Sequence, residues 1–262
     1  MYSVLQSIHS PPPVITTSLR TKKGQSIVVA RDDLLTGGTK ERALYSYLAN
    51  LDFHEYIYAS PFSGFAQIAL AYVSQQMGRK CIIIAEVDPE TGSLHPYSLR
   101  ARDHGATVFP SRNLKEAEEI AERLAAEREQ MLKIPLGFNV PEFRQSMADV
   151  LSVEWARIER KSETAIRRLW LPVGSGTLAT SFLSFLSPEV EVLGLNVRVL
   201  PQNDPRIKKL NQVIILKTAD VPFREKATIL PEIPSNLFYD AKLWGVIEEE
   251  GLNGDLWWNV AG

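Results

Sequence analysis

One cysteine in 262 residues excludes an internal disulfide and leaves too few thiols for a zinc cluster. That cysteine lies in the apolar run Cys81-Ile82-Ile83-Ile84-Ala85, where a buried strand thiol is expected. No apolar stretch approaches the roughly 20 residues of a membrane span. The segment Met1-Tyr2-Ser3-Val4-Leu5-Gln6 also lacks a basic region followed by an apolar one. A cytoplasmic protein is the expectation. Charge of one sign is missing as well: 29 basic residues against 31 acidic ones give a formal net charge of −2. Such a chain has no global field to gather nucleic acid or anionic lipid.

What is present suits a compact α/β protein, with 45% hydrophobic and 23% charged residues. Short β-branched runs alternate with segments of helical period, the pattern of parallel strands joined by crossover helices. Strands are predicted at residues 26–30, 56–59, 81–85, 107–109, 168–173, 191–197, 213–216 and 256–260. The clearest helix is predicted from Leu114 to about Met131, with Ile120, Leu124 and Ala125 on one face and charges on the other. Pro11-Pro12-Pro13 reads as an extended lead-in, and Pro201 to Pro205 as a turn-rich connection. Arg168 and Trp170 form an arginine–aromatic pair, but they fall in a predicted strand and read as rim and core rather than as a stacking platform for nucleic acid.

Two glycine-bearing segments carry the candidate chemistry. Val173-Gly174-Ser175-Gly176-Thr177-Leu178 follows a strand and opens a helix. Small residues there let backbone N–H groups approach a phosphate, and the helix N-terminus contributes about half a positive charge. A tight turn with Ser175 or Thr177 as the helix cap is the structural alternative. Arg31-Asp32-Asp33-Leu34-Leu35-Thr36-Gly37-Gly38-Thr39-Lys40 is again a strand, a glycine turn and a helix start, now ending in a lysine. A lysine on rigid, partly desolvated backbone can have a lowered pKa and condense with an aldehyde. On these residues alone the segment reads as a solvated surface Lys40, with Asp32 and Asp33 as helix-capping loop acids.

The stretch from Arg31 to Leu44 resembles the Lys/Arg-Glu-Asp-Leu…Gly-Gly-Asn-Lys-x-Arg-Lys-Leu signature of D-cysteine desulfhydrase and 1-aminocyclopropane-1-carboxylate deaminase. These are pyridoxal-phosphate (PLP) enzymes of the tryptophan-synthase-β type, fold type II. Other stretches are similar in the same order: Gly78 to Ile83, Leu99 to Pro110, Ile134 to Pro141, Gly174 to Thr177, Tyr239-Asp240-Ala241-Lys242 and Leu256 to Gly262. The resemblance covers nearly the whole chain. It implies a two-lobed α/β fold of parallel-rich open sheets with helices on both faces. A larger cofactor lobe would comprise residues 1–44 and 132–262, and a smaller lobe residues 45–131.

The resemblance also implies roles. Lys40 would hold PLP as an imine and, once displaced by a substrate amine, move a proton. Gly174, Ser175, Gly176 and Thr177 would bind the cofactor phosphate. Ser63, Gly64 and Gln67, in the loop from Ser60 to Gln67, would receive the substrate carboxylate, and Tyr239 would face the cofactor as an acid or a stacking group. Three features depart from the pattern. Gly64 stands in place of an asparagine, Val260 in place of a threonine that meets the pyridine nitrogen, and Asp240 in place of a glutamate. Asp240 is therefore the nearest candidate acid for that nitrogen. A lyase- or deaminase-like reaction on an amino acid or amine, in a homodimer with no metal and no membrane or nucleic-acid partner, is the expectation. Alternatives are a PLP-fold binding protein without catalysis, an enzyme acting on a bulkier amino-acid conjugate, and a nucleotide-binding α/β protein.

Overall fold

A computed structural model describes residues 10–162 and 164–262. In chain order the elements are β1 (Thr16–Arg20), β2 (Ser26–Arg31), α1 (Thr39–Ala49), β3 (Glu55–Ser60), α2 (Ala66–Gln76), β4 (Lys80–Glu86), α3 (Pro96–Asp103), β5 (Thr107–Ser111), α4 (Leu114–Ala126), β6 (Met131–Ile134), α5 (Pro141–Lys161), β7 (Arg168–Val173), α6 (Thr177–Leu183), β8 (Glu191–Asn196), α7 (Pro205–Leu210), β9 (Ile215–Thr218), α8 (Asp240–Glu250) and β10 (Leu256–Asn259). The chain divides into two compact units. One is Lys40–Ser146 with Ser10 and Pro11; the other combines Pro12–Thr39 with Met147–Gly262.

The Lys40–Ser146 unit is built on a four-stranded sheet, in the order β5-β4-β3-β6, with every pair parallel. Ile57, Tyr58, Ile83 and Ile84 are almost wholly buried, as expected of a parallel sheet covered on both faces. Helix α4 lays Ala117 and Ala121 on Ile57, Ala59, Ile84 and Met131; two alanines one turn apart let helix and sheet approach closely. Its start is capped by Asn113, whose side chain accepts from Glu116 N at 2.9 Å. The helix stops at Ala126, short of the predicted Met131, because residues 131–134 form β6 and pair with β3. Amphipathic period continued through Arg128-Glu129-Gln130 and concealed that strand.

The second unit holds a six-stranded sheet in the order β1-β2-β10-β7-β8-β9. All its pairs are parallel except β1 with β2. Trp170, Trp257, Ile27, Val29, Leu193 and Leu195 form the core on one face with Leu243, Trp244 and Ile247 of α8. The rings of Trp244 and Trp257 stack at 5.5 Å. Arg168 and Trp170 take the rim and core places expected of them. The Trp170 indole donates to Asp255 at 2.6 Å, and the Arg168 guanidinium lies 5.1 Å over the ring. Three local expectations shift: β1 was not foreseen, β9 runs 215–218 rather than 213–216, and the turn after Pro201 continues into α7. That short helix is capped by Asp204, which accepts from Arg206 N at 2.9 Å. Cys81 is buried in β4, and its burial raises the thiol pKa. No helix among the described residues is long and apolar enough to cross a membrane.

Candidate active site

The turn that presents Lys40 is fastened from several sides. After β2 the chain makes a short 3-10 turn, Asp32–Leu34. Asp32 is fully buried and its carboxylate accepts the Trp258 indole N–H at 2.8 Å. Asp33 takes two bonds from the Arg31 guanidinium, both 2.7 Å. These bonds tie the turn to the strands on either side of it. Gly38 adopts φ +63°, and a Cβ there would stand 2.4 Å from the Val260 carbonyl oxygen, so only glycine fits. Thr39 N donates to that same carbonyl at 2.9 Å, and Thr39 Oγ1 receives the Trp258 indole at 3.0 Å. Lys40 follows in the first turn of α1, partly exposed.

The glycine loop after β7 is bound to Tyr239. Gly174 N donates to the Tyr239 hydroxyl at 2.9 Å, and that hydroxyl donates to Pro172 O at 3.3 Å. A Cβ on Gly174 would come within 2.9 Å of the tyrosine ring. The expected cofactor-facing tyrosine and the first residue of the expected phosphate loop are thus partners, with the hydroxyl engaged by backbone. Gly176, at φ +84°, is the residue before α6 and caps it without a side-chain hydrogen bond, so the cap is neither Ser175 nor Thr177. Ser175 Oγ and Thr177 Oγ1 lie 3.0 Å apart and form the polar rim of the loop.

Asp240 opens α8 and is fully buried. Its Oδ1 accepts Val260 N at 2.7 Å. Burial raises its pKa well above the usual carboxylate value; the Val260 N–H opposes that shift and the Asp33 charge adds to it. Oδ2 has no hydrogen-bond partner.

Ser63 and Gly64 lie in the Lys40–Ser146 unit, in the loop between β3 and α2, and Gln67 in the first turn of α2. Gln67 Nε2 donates to Gly64 O at 2.8 Å, and Gly64 N to Pro61 O at 2.9 Å. Phe62 N is held by Glu86 Oε2 at 2.9 Å. Ser63 and Gln67 are 1% and 0% exposed, yet Ser63 Oγ and Gln67 Oε1 have no partner. Two buried polar atoms without partners are costly unless something else satisfies them. A Cβ at Gly64 would lie 2.9 Å from both Ser60 Oγ and Pro61 Cγ, so the loop has little room for the asparagine expected there from the resemblance. The sequence reading passed over the residues that brace this loop. The Phe62 ring meets His95 at 4.9 Å and the Phe65 ring meets Tyr97 at 5.2 Å, while Arg100 lies 5.5 Å over Phe65. Only His95-Pro96, a helix-start pair, marked this segment locally.

No family model matches the sequence, and no curated protein matches it either. Solved structures do. Diaminopropionate ammonia lyase from Escherichia coli, in its apo form, superposes with a TM-score of 0.71 at 16% identity, covering 98% of this chain and 84% of that one. A homologue of 1-aminocyclopropane-1-carboxylate (ACC) deaminase gives 0.74 at 18% identity, over 97% and 90%. The processed form of threonine deaminase isoform 2 from Solanum lycopersicum gives 0.64 at 14%, over 95% and 80%. The fold is PLP fold type II.

Proposed function

We propose that the chain is a PLP-dependent enzyme that acts on an amino acid or another small amine-bearing substrate in a lyase- or deaminase-type reaction. The observation that carries this reading is the turn before Lys40, which Val260, Trp258 and the obligatory Gly38 hold around a single lysine. The structures with this fold include an ammonia lyase and deaminases, and the E. coli lyase has also been solved in a complex containing PLP. The residues present suit that cofactor. Lys40 supplies the amine for its aldehyde, and Ser175 Oγ and Thr177 Oγ1 with the Gly176 backbone offer donors to its phosphate.

When bound, PLP supplies an electron sink for the charge left as a bond beside the substrate nitrogen breaks. The protein's own part is positional and protolytic. Lys40 takes up or returns a proton once its amine is free. Ser63 Oγ and the N-terminus of α2 receive the substrate carboxylate, and Gln67 Oε1 accepts a hydrogen bond from a donor on the ligand. Tyr239 holds Gly174 and so shapes the phosphate loop.

Purified protein incubated with PLP should show the visible band of a lysine-bound cofactor, and borohydride should fix that cofactor on the peptide containing Lys40. A Lys40→Ala variant that keeps both band and adduct would remove this reading. A second reading, PLP binding without turnover, is favoured by one observation: the crowding at Gly64 removes the side chain expected to contact the cofactor ring. Cofactor binding by wild type with no α-proton exchange on any amino acid tested would select it.

A further inference from the structure

Asp240 is fully buried, opens a helix and carries a carboxylate whose bonds run to the strand end beside the lysine turn. Val260 is engaged on both sides. Its N–H donates to Asp240 Oδ1 at 2.7 Å. Its C=O accepts Thr39 N at 2.9 Å. The two groups flank one α-carbon with only two soft torsions between them, so holding the N–H limits how far the C=O can turn. A Cβ on Gly38 would stand 2.4 Å from that carbonyl oxygen, so the oxygen occupies the place a side chain there would need. The next residue after Thr39 is Lys40.

We infer that Asp240 is a positioning residue that sets the approach of the Lys40 amine by clamping Val260 against Thr39. This rests on the reading of Lys40 as the reactive lysine and replaces a direct contact between Asp240 and the cofactor ring. It requires an acceptor at Oδ1 and no negative charge. A direct electrostatic role requires the charge. The two requirements separate in Asp240→Asn, which keeps the acceptor and loses the charge, and in Asp240→Ala, which loses both.

The test uses full-length protein without cofactor, and its probes are deuterium exchange at the Thr39 amide and trace acylation of lysines by acetic anhydride across pH, read by peptide mapping. Asp240→Ala should exchange the Thr39 amide about tenfold faster, the loss of roughly one hydrogen bond's protection. It should also displace the acylation profile of Lys40 while leaving that of exposed Lys80 unchanged. Asp240→Asn should match wild type in both measurements. Wild-type behaviour in the alanine variant, or an asparagine variant disturbed as much as the alanine one, overturns the inference. If the alanine variant does not fold, Asp240→Ser, whose hydroxyl falls short of the Val260 N–H, takes its place. Borohydride trapping of PLP on wild-type Lys40 is run alongside. Failure there removes the proposed function, while the exchange and acylation results still decide the role of Asp240.

Discussion

The indole N–H of Trp258 donates to the carboxylate of Asp32, 226 positions away in sequence, at 2.8 Å and in full burial. The same nitrogen lies 3.0 Å from Thr39 Oγ1, so one donor serves both ends of the lysine turn. Trp258→Phe keeps an aromatic ring but leaves a buried carboxylate short of a donor and a gap where the second ring was. The expected cost is about 2 to 4 kcal/mol. Urea unfolding followed by circular dichroism reads it, and an unchanged midpoint would show that the indole bond contributes nothing.

Gly38→Ala tests the turn from the backbone side. A left-handed φ costs a non-glycine residue of order 1 kcal/mol or more, and the added methyl must also displace the Val260 oxygen. A loss of about 2 kcal/mol or more is expected, with weakened PLP capture by Lys40. Titrating the cofactor against the variant at a temperature where it remains folded separates the two effects; full capture by a destabilised variant would show that the turn matters for stability alone.

Ser63→Ala should behave in the opposite way. Its hydroxyl is buried and unpartnered, so deleting the oxygen removes a desolvation penalty, and stability should hold or rise by up to about 1 kcal/mol. Binding of an amino acid to the PLP-loaded protein should weaken at least tenfold. A thermal melt and a spectroscopic ligand titration of one sample give both numbers. Destabilisation without loss of affinity would make Ser63 a structural residue.

Asp240 predicts a pH dependence whose sign is unusual for a carboxylate. Its pKa is raised in the folded protein, so between the unfolded value of about 4 and the higher folded value the native state holds more protons than the unfolded chain. Stability from this group is present at low pH and lost as pH rises through that window. Asp240→Asn does not titrate. The difference in unfolding free energy, variant minus wild type, should therefore grow from about pH 4 toward neutrality. A difference that stays constant, or shrinks as pH rises, would mean that the backbone N–H bonds outweigh burial.

The alternation of elements was legible because parallel strands buried on both faces are written as short, mostly apolar runs, as in Cys81 to Ala85 and Val192 to Leu195. Strand β1, Thr-Thr-Ser-Leu-Arg, buries only Leu19 well, and its identity comes from pairing with β2 rather than from its own residues. The lysine turn could be located from Gly37-Gly38-Thr39-Lys40. What holds it could not, since Trp258, Val260 and Asp240 meet it only through the register of β10 beside β2. The engagement of Tyr239 with Gly174 was equally hidden, because a tyrosine hydroxyl finding a backbone N–H 65 residues away leaves no local pattern.

Strand β10 occupies an interior place in its sheet, between β2 and β7, although its residues are among the last of the sequence. During synthesis the Lys40–Ser146 sheet can assemble from contiguous chain as it emerges. The other sheet must wait with β2 and β7 exposing the edges that β10 will cover. Until residues 256–260 leave the ribosome, Trp170 and the apolar side of α8 lack Trp257, and Thr39 lacks the Val260 carbonyl. Nascent chains stalled upstream of Leu256 should therefore display one protected sheet and one sticky, chaperone-dependent half.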